Sequence, residues 1–196
     1  LADGCWGAGS IAARAPLPRG RRSYWGAAPT GCRFKGWFMD ADRPRSSALR
    51  KGRVSLDGRV YLITTVTQDR HPWFADFACA RWVVRALMGE ARLGRAATLA
   101  YVVMPDHVHW LLRLGDQAAL STVVRGVKSV AAHGIGRAVW QAGFHDHALR
   151  ADEDVLEAAR YVVANPLRAK LVERLADYPH WDAVWLQDSG EDLLVR

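Results

Sequence analysis

The sequence predicts an α+β fold of the ferredoxin-like split βαβ type. In this fold an antiparallel four-stranded sheet carries helices on one face, and here a tyrosine-bearing helix is appended. Two observations lead to this prediction. From residue 60 onward, strand-like and helix-like segments follow one another in the order β-α-β-β-α-β-α. Half of the 196 residues are hydrophobic, which is enough for one sizeable core.

The first half of this pattern begins with a strand over 60–67, VYLITTVT, because β-branched and aromatic residues favour extended structure. The segment 77–94 has helical spacing and reaches Gly94, a residue typical of the end of a helix. A second strand is predicted over 96–104, and Pro105 and Asp106 then form a tight turn.

The second half begins with a strand over 107–114, HVHWLLRL. Residues 118–138 predict a helix that its glycines weaken, and 139–150 a short fourth strand with its exit loop. A last helix over 152–165 opens with three acidic residues, which suit the positive end of the helix dipole. Both long helices are expected on one sheet face, which leaves the other face free.

Charge divides the chain into segments. Residues 1–58 hold 11 of the 27 basic and 4 of the 20 acidic residues, so the whole net charge of +7 lies there. We therefore predict a disordered or weakly ordered basic extension over 1–50, unless the start was assigned too far upstream. A folded domain is predicted over 51–187, followed by a tail over 188–196.

The basic stretch RPRSSALRKGRVS, which contains Arg50, Lys51 and Arg53, indicates a nucleic-acid-binding arm or a solubilising tail. No apolar run is long enough to span a membrane, so no membrane contact is expected. Three scattered cysteines form no disulfide framework, which favours a reducing, cytoplasmic setting.

His107 and His109 lie one residue apart at the start of the third strand. Side chains alternate along a strand, so both imidazoles share one face and Val108 and Trp110 take the other. Two neutral imidazoles side by side are half of a metal site, or two polar groups on a wet sheet face. The pair alone leaves both interpretations open.

Tyr161 lies in the last predicted helix, opposite an apolar stripe that includes Ala159 and Val162. A tyrosine that serves only the core would lie within the stripe. This position therefore favours a functional role for Tyr161 over a packing role.

Five stretches together form a family pattern, namely KGRVSLDGRVYLITTVTQDRHPWF, YVVMPDHVHWLL, RGVKS, VWQAGFHDHALR and ARYVVANPLRAKLVERLADYPHWDAVW. Through these stretches, residues from about 50 to 185 resemble the REP-associated tyrosine transposases, within the wider group of His-hydrophobic-His single-strand DNA nucleases. The histidine pair alone is a weak signal. Met-Pro-Asp before the pair and Tyr-x-x-x-Asn-Pro after it make the signal strong.

This resemblance implies a transposase-like enzyme that cuts and transfers single-stranded or hairpin DNA, such as REP-like palindromes, and takes no small-molecule substrate. It implies that His107 and His109 hold Mg²⁺ or Mn²⁺ and that Tyr161 forms a 5′-phosphotyrosine. The active form is a monomer or a homodimer. Asn165 is implied as a third ligand, although with Pro166 it could instead begin a new helix, PLRAKLVERL.

Two basic residues of the second predicted helix, Arg125 and Lys128, share one of its faces. The resemblance implies that Lys128 contacts DNA phosphate, and Arg125 either does so or lies on a solvated face. The sequence HDH at 145–147 could form a second metal pair, but the family pattern favours a buttressing role for His147.

Two other functions are considered. A non-catalytic DNA-binding regulator derived from a transposase would keep the fold and the basic arm, but here all three catalytic positions are filled. A hydrolytic zinc enzyme lacks support, since the pair has no nearby acidic ligand and no His-Glu-x-x-His spacing.

Overall fold

A computed structural model describes residues 56–151 and 153–184 of the chain. The predicted extension over 1–50, the basic residues Arg50, Lys51 and Arg53, and the predicted tail all lie outside the described residues. No helix of the described part is long and apolar enough to cross a membrane.

Five strands and four α-helices occur in the described part, with short 3₁₀ turns at 68–70, 73–75 and 175–177. Their order is β1 (Val60–Val66), α1 (Phe77–Arg92), β2 (Ala96–Met104), β3 (His107–Leu114), α2 (Leu120–Ile135), β4 (His145–Ala148), α3 (Val155–Val163), α4 (Asn165–Arg168) and β5 (Trp181–Ala183). The predicted order of the first seven elements is confirmed.

The sheet is antiparallel throughout, with strand order β4-β1-β3-β2-β5. The α+β fold is confirmed, but the prediction of four strands was one short. β5 adds to the outer edge of β2, where Ala100, Tyr101 and Val102 pair with Ala183, Asp182 and Trp181. A strand of three residues is too short to show a recognisable alternation of polar and apolar residues. Its formation therefore depends on pairing with the edge of β2.

Both long helices pack on one face of the sheet, as predicted. Asp76 caps α1 by accepting a hydrogen bond from the backbone N–H of Cys79 (3.0 Å). The core beneath the helices contains the alternate residues of β3 that were expected there, together with apolar residues from α1 and α2. They include Val108, Trp110, Leu112, Leu114, Val83, Leu87, Val123 and Val127.

The glycines of α2 allow a close approach to α1. A Cβ at Gly134 would overlap the indole ring of Trp82, and one at Gly126 would lie 2.6 Å from Oε1 of the buried Glu90. The prediction that these glycines weaken the helix considered only the low helix propensity of glycine. In the folded chain they provide the space in which the two helices meet.

The opposite face of the sheet was expected to be free, and this expectation is wrong. The last long helix, α3, packs on it through Ala158, Ala159 and Val162, against apolar residues of β2 and β3 such as Val102 and Leu111. The new helix expected after Asn165 is also shorter than predicted. α4 has four residues, and Lys170, at φ 54°, lies just beyond its end.

Candidate active site

The two histidines of β3 lie side by side beneath the α3 layer. Their ring centroids are 4.8 Å apart, with the rings nearly perpendicular, and they are only 6% (His107) and 5% (His109) exposed. The predicted common face is confirmed, since their β3 neighbours Val108 and Trp110 belong to the core on the other side. The pair is therefore a buried polar group within a sheet rather than a wet surface.

His109 is held by one ring nitrogen only. Its Nδ1 lies 2.9 Å from Oγ1 of Thr64, the residue directly opposite on β1. Its Nε2 is buried and meets no hydrogen-bond partner within 56–151 and 153–184. Burial, followed by the neighbouring His107, holds the pKa of His109 well below its ordinary value, so the ring is neutral. A neutral imidazole with one unpartnered buried nitrogen is a suitable metal ligand.

His107 is oriented by a carboxylate. Its Nδ1 lies 2.5 Å from Oδ1 of Asp106, and Oδ2 of Asp106 accepts a hydrogen bond from Arg70 (3.2 Å). Burial alone would raise the pKa of Asp106, but the contacts with His107 and Arg70 outweigh it and lower the pKa. An ionised carboxylate only accepts hydrogen bonds, so Nδ1 carries the proton and Nε2 of a neutral His107 carries the lone pair.

The sequence singled out Met-Pro-Asp as a motif but assigned Asp106 only to a tight turn, and it missed Thr64 and Arg70. The signal for Asp106 was its position next to His107. Thr64 and Arg70 are 45 and 36 residues away from their partners. Only strand pairing and the path of the β1–α1 connection bring them to the histidines.

Tyr161 lies on the helix that covers the histidines. It is half-buried, packed against the core between α3 and the sheet. The guanidinium of Arg168 lies over its ring, 4.5 Å from the centroid. The charge of Arg168 also contributes, after burial and His107, to the lowered pKa of His109. The tyrosine and the histidine pair therefore lie on the same side of the sheet within one chain.

Asn165 closes the end of α3. Its Nδ2 donates to the carbonyl oxygens of Tyr161 (2.9 Å) and Val162 (3.0 Å). The alternative in which Asn165 is the N-cap of a following helix is wrong, because Ala164 holds that position and makes no side-chain cap. With both amide bonds made by nitrogen, the oxygen Oδ1 is the atom that could bind a metal ion.

The two basic residues of α2 lie in the helix layer of the other sheet face. Nζ of Lys128 donates to the carbonyl oxygens of Gln141 and Gly143, both at 2.7 Å, and Trp140 donates to the carbonyl oxygen of Lys128 (3.0 Å). Lys128 therefore braces the loop before β4. Arg125 is exposed and, with Lys128, lines a pocket of about 220 Å³. Contact of either residue with DNA stays a prediction.

His147 ties β4 to the start of α3. Its Nε2 lies 3.0 and 3.1 Å from the carboxylate oxygens of Glu153, which also accepts from the backbone N–H of Arg150 (2.7 Å). Across 56–151 and 153–184 there is no cluster of three or more His, Cys, Asp or Glu residues that could hold a metal ion. A metal ion on the histidine pair would need its other ligands from a carboxamide or from a substrate.

Residues 58–147 match the model of the IS200-like transposase family. This part of the chain is therefore similar to the IS200-like transposases. The matched region contains the histidine pair, whereas Tyr161 and Asn165 follow it in the chain.

One curated relative is the REP-associated tyrosine transposase of Escherichia coli K12, to which the chain is 34% identical over 83 residues. The match covers 41% of this chain and 50% of the relative, so the chain spans about half the length of the curated relative it matches. The resemblance to this family that the sequence motifs indicated is confirmed by this match.

A solved structure of a REP-associated tyrosine transposase bound to a REP hairpin has a similar fold. The TM-score is 0.58 and the identity is 24%, over 66% of this chain and 79% of the other. At this identity the similarity confirms the fold alone.

Proposed function

We propose that the protein is a metal-dependent single-strand DNA endonuclease and strand transferase that acts on hairpin or REP-like palindromic DNA through a 5′-phosphotyrosine. The observation that carries this proposal is the buried, unpartnered Nε2 of His109 on the sheet face that α3 covers with Tyr161. Binding of a REP hairpin by the solved neighbour supports the choice of substrate. A cytoplasmic, nucleoid-associated location follows from a DNA substrate.

The residues present fit a divalent metal ion such as Mg²⁺ or Mn²⁺. His107 and His109 would each offer Nε2, because Asp106 and Thr64 hold the opposite ring nitrogens. Oδ1 of Asn165 is the proposed third ligand. When bound, such an ion polarises a non-bridging phosphate oxygen and offsets charge in the transition state.

Tyr161 is the proposed nucleophile. Its hydroxyl oxygen attacks phosphorus, the bond to the 3′ oxygen breaks, and the phenol proton is lost while the leaving 3′ oxygen gains one. The products are a 5′-phosphotyrosine and a free 3′-OH. The phosphotyrosine preserves the energy of the broken diester, so the same site can rejoin the strand to a new 3′-OH.

The basic residues are proposed to hold the DNA outside the reacting centre. Arg125 and Lys128 would contact it from α2, and Arg50, Lys51 and Arg53 from the N-terminal extension. Since each neutralised phosphate releases counterions, removal of residues 1–50 should weaken binding and reduce its salt dependence. The catalytic domain over 51–187 is proposed to fold without that extension.

The test compares two tyrosines. A labelled single-stranded oligonucleotide carrying a REP hairpin is incubated with protein and Mn²⁺, and covalent adducts are separated on a denaturing gel. Tyr161→Phe removes the attacking oxygen, so the adduct should vanish while DNA binding remains.

Tyr178→Phe is the matched control. Its hydroxyl donates to the carbonyl oxygen of Val103 (2.8 Å), and burial raises its pKa, so it should not act as the nucleophile. This variant should keep the adduct. An adduct formed by Tyr161→Phe at the wild-type rate would show that another residue attacks. A wild-type protein that binds the hairpin without any adduct would instead favour a DNA-binding regulator.

A further inference from the structure

The turn after α3 places a basic residue, Arg168, next to the ring of Tyr161. Asn165 closes the helix, α4 runs for a single turn, and Arg168 at its end lies seven residues after Tyr161. The guanidinium carbon of Arg168 is 4.5 Å from the centroid of the Tyr161 ring, which is cation–π distance. The side chain of Arg168 is exposed, so it can also be reached by a ligand.

Among the described residues, no acidic side chain lies within ion-pair distance of Arg168. Arg95 pairs with Glu90 and Arg174 with Asp177, but in the described part of the chain no Asp or Glu forms an ion pair with Arg168. Within the described residues, a cation without a counter-ion thus lies over the ring of the tyrosine.

The chemistry of this position suits a phosphodiester. A guanidinium stacked on a ring uses its flat face for that contact and keeps its edge N–H groups for hydrogen bonds in its own plane. Two of these N–H groups match two phosphate oxygens, and charge-assisted bonds of this kind are strong. An anion that approached the Tyr161 hydroxyl would therefore come within reach of Arg168.

We propose that Arg168 is a further catalytic residue, which binds the non-bridging oxygens of the phosphate that Tyr161 attacks. This inference rests on the proposed function, and it adds a protein cation to the groups that hold the reacting phosphate. The stacking also restricts the Tyr161 ring, so that the nucleophile and the bound phosphate are oriented together.

The decisive experiment measures binding without cleavage. In a Tyr161→Phe background, affinity is measured for a set of single-stranded oligonucleotides that carry a REP hairpin, each with one phosphate replaced by an uncharged methylphosphonate. With Arg168 present, neutralising the phosphate it contacts should weaken binding about 10-fold or more. With Arg168→Ala that penalty should vanish at the same position, while the penalties elsewhere remain.

Arg168→Lys keeps the charge but loses the planar fork, so it should restore only part of the penalty at that phosphate. A structural role for Arg168 would lower affinity equally at every position and would not distinguish the phosphates. An Arg168→Ala profile parallel to that of its parent at every phosphate would overturn the assignment. Because Arg168→Lys retains the stem and the charge, it provides the comparison if Arg168→Ala does not fold.

Arg85→Ala is the matched control. Arg85 is also exposed and lies 4.9 Å from the ring centroid of Trp82, but it belongs to α1 on the other sheet face. Its loss removes the same charge and the same kind of stacking, and the methylphosphonate profile should not change at any single position. If the profile changed equally in Arg168→Ala and Arg85→Ala, the effect of Arg168 would be explained by net charge alone, and the proposal would be overturned.

Cleavage in the wild-type background separates this inference from the function on which it rests. If the wild-type protein forms the adduct and Arg168→Ala forms it at the same rate, the role of Arg168 alone is rejected. If the wild-type protein binds the hairpin and never forms an adduct, the proposed function is rejected, and attack by Tyr161 with it.

Discussion

The two faces of the sheet are built on different principles, although they share every strand. Beneath α1 and α2 the strands contribute Trp110, Leu112 and other apolar side chains, which close-pack into the larger core. Beneath α3 the same strand, β3, contributes His107 and His109, which are as buried as the core residues. One face stabilises the fold by excluding water. The other holds buried polar atoms in fixed orientations at a cost in stability.

This difference shows which contacts fix the orientation of the side chains in the candidate site. Each histidine has one nitrogen fixed by a neighbour, Thr64 or Asp106, and these neighbours are in turn held by strand pairing or by Arg70. The apolar face needs no such partners, since its contacts are not directional. Substitutions on the two faces should therefore separate stability from activity.

The largest difference between loss of activity and loss of stability is expected for substitutions of two residues of β3. His109→Ala should abolish adduct formation and Mn²⁺ binding with little loss of stability, because it removes an imidazole whose Nε2 is unsatisfied. Leu112→Ala should lower the free energy of unfolding by about 2–5 kcal/mol and preserve adduct formation per folded molecule. Urea denaturation, calorimetric Mn²⁺ titration and the gel assay measure the three quantities. Equal losses of stability in both variants would contradict the proposed division.

A smaller effect is expected from the carboxylate that orients His107. Asp106→Asn keeps the size of the side chain but can no longer hold Nδ1–H of His107 by charge. Metal affinity should fall by about 10–100-fold, as is typical when a partner of a ligating histidine is lost. Titration with Mn²⁺ measures the change, and an unaltered affinity would mean that Asp106 serves only the Arg70 ion pair.

On the apolar face, Gly134→Ala tests the packing of α2 on α1. The added Cβ overlaps the Trp82 ring, so the helices must separate, and overpacking of this kind typically costs about 1–3 kcal/mol. Thermal unfolding measures the loss. Adduct formation per folded molecule should stay unchanged, because α3 and the histidines lie on the other face. Gly89→Ala is the control, since a Cβ there meets no atom within 4 Å among the described residues.

The smallest effect concerns the link between β4 and α3. Burial alone would raise the pKa of Glu153, but hydrogen bonds from the Arg150 N–H and His147 outweigh it and lower the pKa below the ordinary 4.5. A lowered carboxyl pKa stabilises the fold above pH 4.5, and the gain is lost as the pH falls through the lower folded value. Glu153→Gln should therefore be less stable than wild type at pH 7 by roughly 0.2–1 kcal/mol. The difference should disappear in acid, and denaturation at several pH values measures it.

The sequence by itself determined the order of the elements from β1 to α3, because hydrophobic period and turn residues are local properties. It also determined that His107 and His109 share a face, since alternation along a strand needs no tertiary information, and motif spacing was enough to recognise the family. The sequence distinguished Tyr161 as lying outside the apolar stripe of its helix, whereas in the folded chain its half-buried ring packs against the same core as Ala159 and Val162.

Only the tertiary structure decided what surrounds those residues. Thr64 reaches His109 through strand register, Arg168 returns to Tyr161 through the one-turn helix α4, and β5 forms because the edge of β2 is available to pair. The burial of the histidines was decided in the same way, by α3 packing on the face expected to be free. Contacts between residues far apart in sequence depend on how the chain closes on itself, and no local pattern of residues encodes that closure.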